Sequence, residues 1–128
     1  MKMIRMYTGA DKRTRFEEMD PKLASPTQGS GRAAAQMTHL PAVTGQPLYR
    51  IVTAPDPSFH RAPQRNLITV LEGIVHLVSG TGESATLGPG DIFQAEDLEG
   101  DGHVVRFAPG TTRYTFLVLT LADQAPRR

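Results

Sequence analysis

The sequence predicts an all-β protein, a sandwich or barrel of about eight or nine short strands. Three observations carry this expectation. Short runs of apolar, β-branched and aromatic residues recur at a spacing of roughly ten residues. The 12 glycines and 10 prolines are spread between those runs as punctuation, as a many-turned protein requires. No stretch carries the apolar period of a helix that packs one face on a core.

The elements follow in order. MIRMYT, residues 3–8, reads as the first strand. GADKRTRFEEMDPKLASPTQGSGR is polar and rich in Gly, Ser and Pro. It reads as a loop with one short helical turn near Phe16 to Met19. AAAQMTHL and PLYRIVT are the next strands, separated by Pro41 and Gly45. The prolines of APDPSFHRAPQR make that segment extended or turning rather than helical. NLITVL and IVHLVS flank Glu72-Gly73, a hairpin signal. GTGE turns into SATL, and GPGD turns into IFQAE. The acidic, glycine-rich DLEGDG leads into HVVRF. Pro109-Gly110 closes that strand, and RYTFLVLTL is the last long one before a fraying tail, ADQAPRR.

The bulk numbers exclude several functions. A chain of 128 residues suits one domain and buries roughly two thirds of its unfolded surface, enough for a single core. Lys+Arg 14 against Asp+Glu 13 leaves a net charge of +1. That balance supplies no field for nucleic acid or anionic lipid, so neither is an expected partner. With no cysteine, disulfides and thiolate metal sites are excluded. The opening MKMIRMYTGADKRTRF lacks a signal-peptide core, and no apolar run approaches the roughly 20 residues of a membrane span. A cytoplasmic protein is expected. There is no phosphate-binding glycine loop and no G-x-S-x-G elbow, which sets aside kinase, Rossmann and α/β-hydrolase chemistry.

Two stretches in the second half stand at a telling interval: HRAPQRNLITVLEG and LGPGDIFQAEDLEGDGH. Together they resemble the two motifs of the cupins, and more narrowly a subgroup of single-domain cupins. The likeness covers roughly residues 45–121 and rests on VLEG, LGPGD and the terminal Gly-His. It implies a double-stranded β-helix, the jelly-roll barrel, with a core over about 45–121. Residues 1–44 would form a strand-loop-strand extension of the same domain, 1–128. The family's metal ligands carry over only in part. The first-motif histidines fall on His60 and Ala62, the glutamate on Asn66, and the second-motif histidine on His103. Cupins typically hold Fe, Mn, Zn or Ni with three imidazoles and a carboxylate. Here two imidazoles remain, one ligand is lost and one carboxylate is an amide. No cofactor is therefore certain. A divalent ion on His60 and His103 would need a further ligand, with Asp97, Gln64 and Asp101 as candidates.

Strand alternation supports a pocket independently. In HVVRF, His103, Val105 and Phe107 share one face; in NLITVL, Asn66, Ile68 and Val70 share another. The expected interior has Ile68, Val70 and Val105 below and His60, Asn66 and His103 at the mouth. That is an apolar cavity with a few convergent polar groups, the form of a small-molecule site. Gln64 flanks it as a ligand-binding candidate, and so do Arg61 and Arg65, whose guanidiniums would suit the carboxylate of a ligand. The expected catalytic set is His103 as base, His60 as its partner and Asp97 orienting one imidazole. The chemistry would be proton transfer of isomerase, lyase or cyclase type. The alternatives are a metabolite-binding or sensor module, a metal-dependent enzyme, and a cupin with a vestigial pocket. Because YTFLVLTL is apolar on both faces, one face should meet the core and the other a second subunit, giving a homodimer.

Overall fold

The computed structural model describes residues 1–23 and 35–122. Nine strands occur in them: β1 (Met3–Thr8), β2 (Thr14–Glu18), β3 (Val43–Val52), β4 (Asn66–Glu72), β5 (Val75–Ser79), β6 (Ser84–Leu87), β7 (Ile92–Glu96), β8 (His103–Phe107) and β9 (Tyr114–Leu121). There is no helix among the described residues. The strands form two sheets, ordered β2-β1-β7-β4-β9-β3 and β6-β5-β8. Every pairing is antiparallel except that of β1 with β7.

Alternation along each strand explains why two sheets form. Ile4 and Met6, Val70, Phe93 and Ala95, and Tyr114 and Phe116 all project from one face of the larger sheet. They meet Val75, Leu77 and Leu87 of the smaller sheet in a single buried cluster. Each of the larger aliphatic and phenylalanine side chains contributes roughly 1.5–3 kcal/mol over its exposed state. The larger sheet also carries apolar residues on its other face. Met3, Leu67, Ile92 and Leu121 form a second buried cluster, with Met19 and Leu119 packed against it. That cluster occupies much of the β9 face that the sequence assigned to a partner subunit.

Four local expectations are corrected. NLITVL and IVHLVS form no hairpin: β4 pairs with β7 and β9 while β5 pairs with β6 and β8, so at Glu72-Gly73 the chain crosses from one sheet to the other. Residues near Phe16 form no helical turn but lie in β2, which pairs with β1 in register Met6↔Phe16. The turn between them is closed by Gly9 and Arg13, whose N–H···O bond is 2.8 Å. Lys12 sits there at φ 64°. Phe16 packs against the core cluster, and this burial outweighs the local preference for a loop. Of the strand expected over AAAQMTHL, residues 33 and 34 lie outside the described residues, and residues 36–42 form no strand. The next strand starts early, at Val43, and runs through Gly45. That glycine adopts φ 72°, where the β3–β9 register shifts between Thr44 and Leu48. It is a bulge, not a separator. The tail ADQAPRR lies outside the described residues from position 123 onward.

One ionic cluster joins the N-terminal hairpin to the rest. Arg5 Nε donates to Glu96 Oε1 at 2.5 Å, and Arg65 Nε donates to Glu96 Oε2 at 2.6 Å. The Glu96 side chain is only 6% exposed. Burial pushes its carboxyl up, but the hydrogen bonds from Arg5 and Arg65 more than reverse this, leaving it below its ordinary value of 4.5. A depressed carboxyl contributes stability above its unfolded value and loses it as pH falls through the folded one. Glu96→Gln should therefore cost about 2 kcal/mol or more in urea unfolding at neutral pH. The gap between parent and variant should narrow as the pH is taken below 4.5.

Candidate functional site

The site starts from a pair of backbone hydrogen bonds. After β3 the chain turns at Asp56, whose Oδ1 accepts from Ser58 N at 2.9 Å. It then runs beside the start of β8. His60 N donates to His103 O at 2.8 Å, and His103 N donates to His60 O at 2.9 Å. In such a mutually bonded antiparallel pair the two side chains lie on the same side. The imidazole centroids are accordingly 4.7 Å apart, with their planes tilted by 57°. Gly102 makes this approach feasible. It adopts φ 76°, and a Cβ there would overlap the His60 carbonyl.

Each imidazole is held through the same nitrogen. His103 Nδ1 lies 2.5 Å from Asp97 Oδ2. Asp97 is fully buried, and His103 is 5% exposed. Thr14 Oγ1, from β2, donates to the same carboxylate oxygen at 3.3 Å. His60 Nδ1 lies 3.2 Å from Ser58 O, an acceptor only, so Nδ1 carries the proton there. A buried carboxylate likewise keeps the His103 proton on Nδ1 and stabilises an imidazolium when one forms. In both rings Nε2 is the nitrogen left free to act as base.

The two histidines open on a cavity of about 400 Å³ between the sheets, within the usual size for small-ligand sites. Its apolar wall includes Ile68, Phe93, Val105 and Phe116, and Gln64 and Asn66 add amide groups. Gln64 Nε2 donates to Thr120 Oγ1 at 3.2 Å. Tyr114, 4% exposed, stacks on Phe116 with centroids 4.3 Å apart. It also lines the cavity. Its hydroxyl has no hydrogen-bond partner among the described residues, and neither has Asn66 Oδ1. Burial pushes the Tyr114 phenol well above its ordinary value, so at neutral pH it remains an O–H donor.

Of the residues singled out in the sequence, the fold brings His60, His103, Gln64, Asn66, Ile68 and Val105 to one cavity. Asp97 stands behind His103 rather than in the lining, in the orienting place. Two assignments are corrected. Val70 is fully buried in the core beneath the cavity and does not line it. Arg65 points from the opposite face, where it binds Glu96 and the Ala122 carbonyl. It immediately precedes Asn66, and alternation turns neighbours to opposite faces. Residue-by-residue reading missed Tyr114, Phe116 and Arg50. Tyr114 and Phe116 carried a signal, since they lead the same alternating face of β9. Arg50 is brought in only by its pairing with Phe116 across β3 and β9.

The donors do not fit a resident divalent ion. His60 Nε2 and His103 Nε2 are accompanied by neutral amide oxygens, and the lining contains Arg50 and Arg61 but no carboxylate. Asp97, the acid on which a metal site would depend, has turned its oxygen to His103. No group of three or more His, Cys, Asp or Glu suited to a metal occurs among the described residues. Two imidazoles beside two guanidiniums offer a dication little charge compensation.

The sequence matches no protein-family model, and no curated protein matches it.

Gly102→Ala should separate His60 from His103. Strain at φ 76° and the displaced bridge should cost about 1–3 kcal/mol in denaturant unfolding. Amide hydrogen exchange at His60 and His103 should rise further than exchange in β4.

Proposed function

We propose that this chain is a small cupin-like protein whose cavity holds a small organic molecule and moves a proton on it. The observation that carries the reading is the Asp97–His103 pair at the cavity wall. The fold assignment draws support from strand order. With the His60 bridge counted as a fourth strand, the two layers read β3-β9-β4-β7 and His60-β8-β5-β6. That is the double Greek-key order of a jelly roll, and β1-β2 extends one layer.

In this reading His103 Nε2 takes a proton from the substrate. The imidazolium that results is stabilised by Asp97, which holds its Nδ1–H and does not itself become protonated. Negative charge left on a substrate oxygen is met by the Tyr114 hydroxyl as a hydrogen-bond donor. Return of the proton to another atom is an isomerisation; its departure with a leaving group is an elimination; attack by the resulting carbanion or alkoxide within the same molecule is a cyclisation. His60, with its own free Nε2, can relay the proton to water. A metabolite-binding role without turnover is the second reading, and the cavity serves it equally well.

Asp97→Asn tests the reading without knowledge of the substrate. An amide NH₂ facing Nδ1 would drive the His103 proton to Nε2, and nitrogen chemical shifts of the ring report that change directly. Small carbonyl compounds incubated in deuterated water should gain deuterium with the parent protein. They should do so roughly 10²–10⁴-fold more slowly with His103→Gln. Recovery of bound compounds without deuterium would favour the binding module.

The partner we propose beside the small molecule is a second copy of the chain. Among the described residues β3 is a sheet edge, and it exposes Val43, Leu48, Tyr49 and Ile51. A long apolar edge of this kind is an aggregation hazard unless it is covered, and self-pairing covers it. Light scattering on a size-exclusion column should give twice the 13.9 kDa chain mass. Tyr49→Lys with Ile51→Lys should shift the protein to monomer while leaving the His103–Asp97 geometry intact.

A further inference from the structure

The distribution of unpaired positive charge points to the class of molecule the cavity takes. Arg5, Arg13, Arg15, Arg65 and Arg113 each pair with a carboxylate. Arg50, Arg61 and Arg106 make no ion pair among the described residues. Two of these three, Arg50 and Arg61, line the cavity. They come from different layers. Arg50 lies on β3 beside Phe116, and Arg61 follows His60 at the bridge to the smaller sheet. The lining adds two imidazoles and contains neither Asp nor Glu. A field of one sign at the mouth of an apolar cavity concentrates anions there, and the planar guanidinium matches a carboxylate in two parallel hydrogen bonds.

Deeper in, the demands change. Phe93, Phe116 and Val105 require an apolar body. The Tyr114 hydroxyl, buried and without a partner among the described residues, calls for an acceptor oxygen on that body. We infer that the ligand of this cavity is a small carboxylic acid with a keto or hydroxy oxygen on an apolar skeleton, its carboxylate held between Arg50 and Arg61. The inference rests on the cavity being the functional site as proposed above. It adds the ligand's charge and where that charge sits.

Calorimetric titration with phenylpyruvate, 4-methyl-2-oxopentanoate and mandelate, each beside its primary amide, tests it. At least one acid should bind the parent protein about tenfold or more tightly than its amide, and added salt should weaken that binding. In Arg50→Gln/Arg61→Gln the acid should lose this advantage and bind like the amide, whose affinity should stay within about twofold. Both arginines are exposed, so thermal unfolding of the double variant should match the parent. Acid and amide binding alike to the parent would overturn the inference. So would an acid affinity unchanged in the double variant, or no acid binding at millimolar concentration. Phe116→Ala separates the inference from the reading beneath it. Amide binding that weakens in this variant keeps the cavity as the site even when the carboxylate preference fails. Binding indifferent to Phe116→Ala removes both.

Discussion

Two backbone hydrogen bonds between His60 and His103 are the constraint on which the rest of the site depends. They are the only place where the segment between β3 and β4 joins the smaller sheet as a bridge, among the described residues. Without them the two imidazoles would belong to unrelated loops. With them, one ring lies beside the other, and the segment that follows is also fixed, because Ala62 N donates to the Asp97 carbonyl at 3.1 Å. A single backbone meeting thus places both imidazoles, the carboxylate bonded to one of them and one of the two cavity arginines. Its tolerance is small, because only a residue without a side chain fits between the strands at position 102.

The division of labour between the two faces of the larger sheet follows from strand parity alone. Residues of one parity on β4 and β7, such as Asn66, Ile68, Phe93 and Ala95, face the cavity. Their neighbours Leu67, Ile92 and Gln94 face away. The outward face is not idle. It houses the Glu96 ion cluster and a second apolar cluster, so both faces of the central strands are anchored. The cavity wall is therefore backed by packed side chains and ion pairs on its far side. The exposed positions, on β3 and around His60 and Arg61, lie at the open side of the cavity.

Much of this was legible in the sequence, and the losses have physical causes. The strands from β4 to β9 announced themselves by alternation and by turn glycines, because each strand's face pattern is a local property; their pairing is not, since of these only β5 and β6 pair as neighbours in the chain. β2 did not. Its charged residues look like loop composition until Arg15 meets Glu83 and Glu17 meets Arg5, partners far away in the chain. AAAQMTHL reads as apolar, yet over residues 36–40 it forms no strand. His60 and His103 were found through the spacing of two motifs, and Asp97 through its place just upstream of His103. Arg61 and Arg65 both stand out beside the first motif, but the parity of Arg65 relative to Asn66 turns it to the opposite face, while Arg61 lines the cavity. Arg50 and Tyr114 depend on the register of β3 with β9 and could be assigned to the cavity only once that register was known.

The parallel pairing of β1 with β7 has a consequence for how the molecule comes to be. Met3 pairs with Ile92, Thr14 reaches Asp97, and Val43 pairs with Leu121, so the decisive contacts join distant parts of the chain. Pairings of this span form late and slowly, because the loop-closure entropy is lost before any contact repays it. A chain emerging from the ribosome can close the β5–β6 hairpin early, but it has no cavity until β8 and β9 have been made and β9 has docked between β3 and β4. Formation of the cavity and pairing of the last strand are then one event, and a partly folded population would carry the β5–β6 hairpin without the cavity.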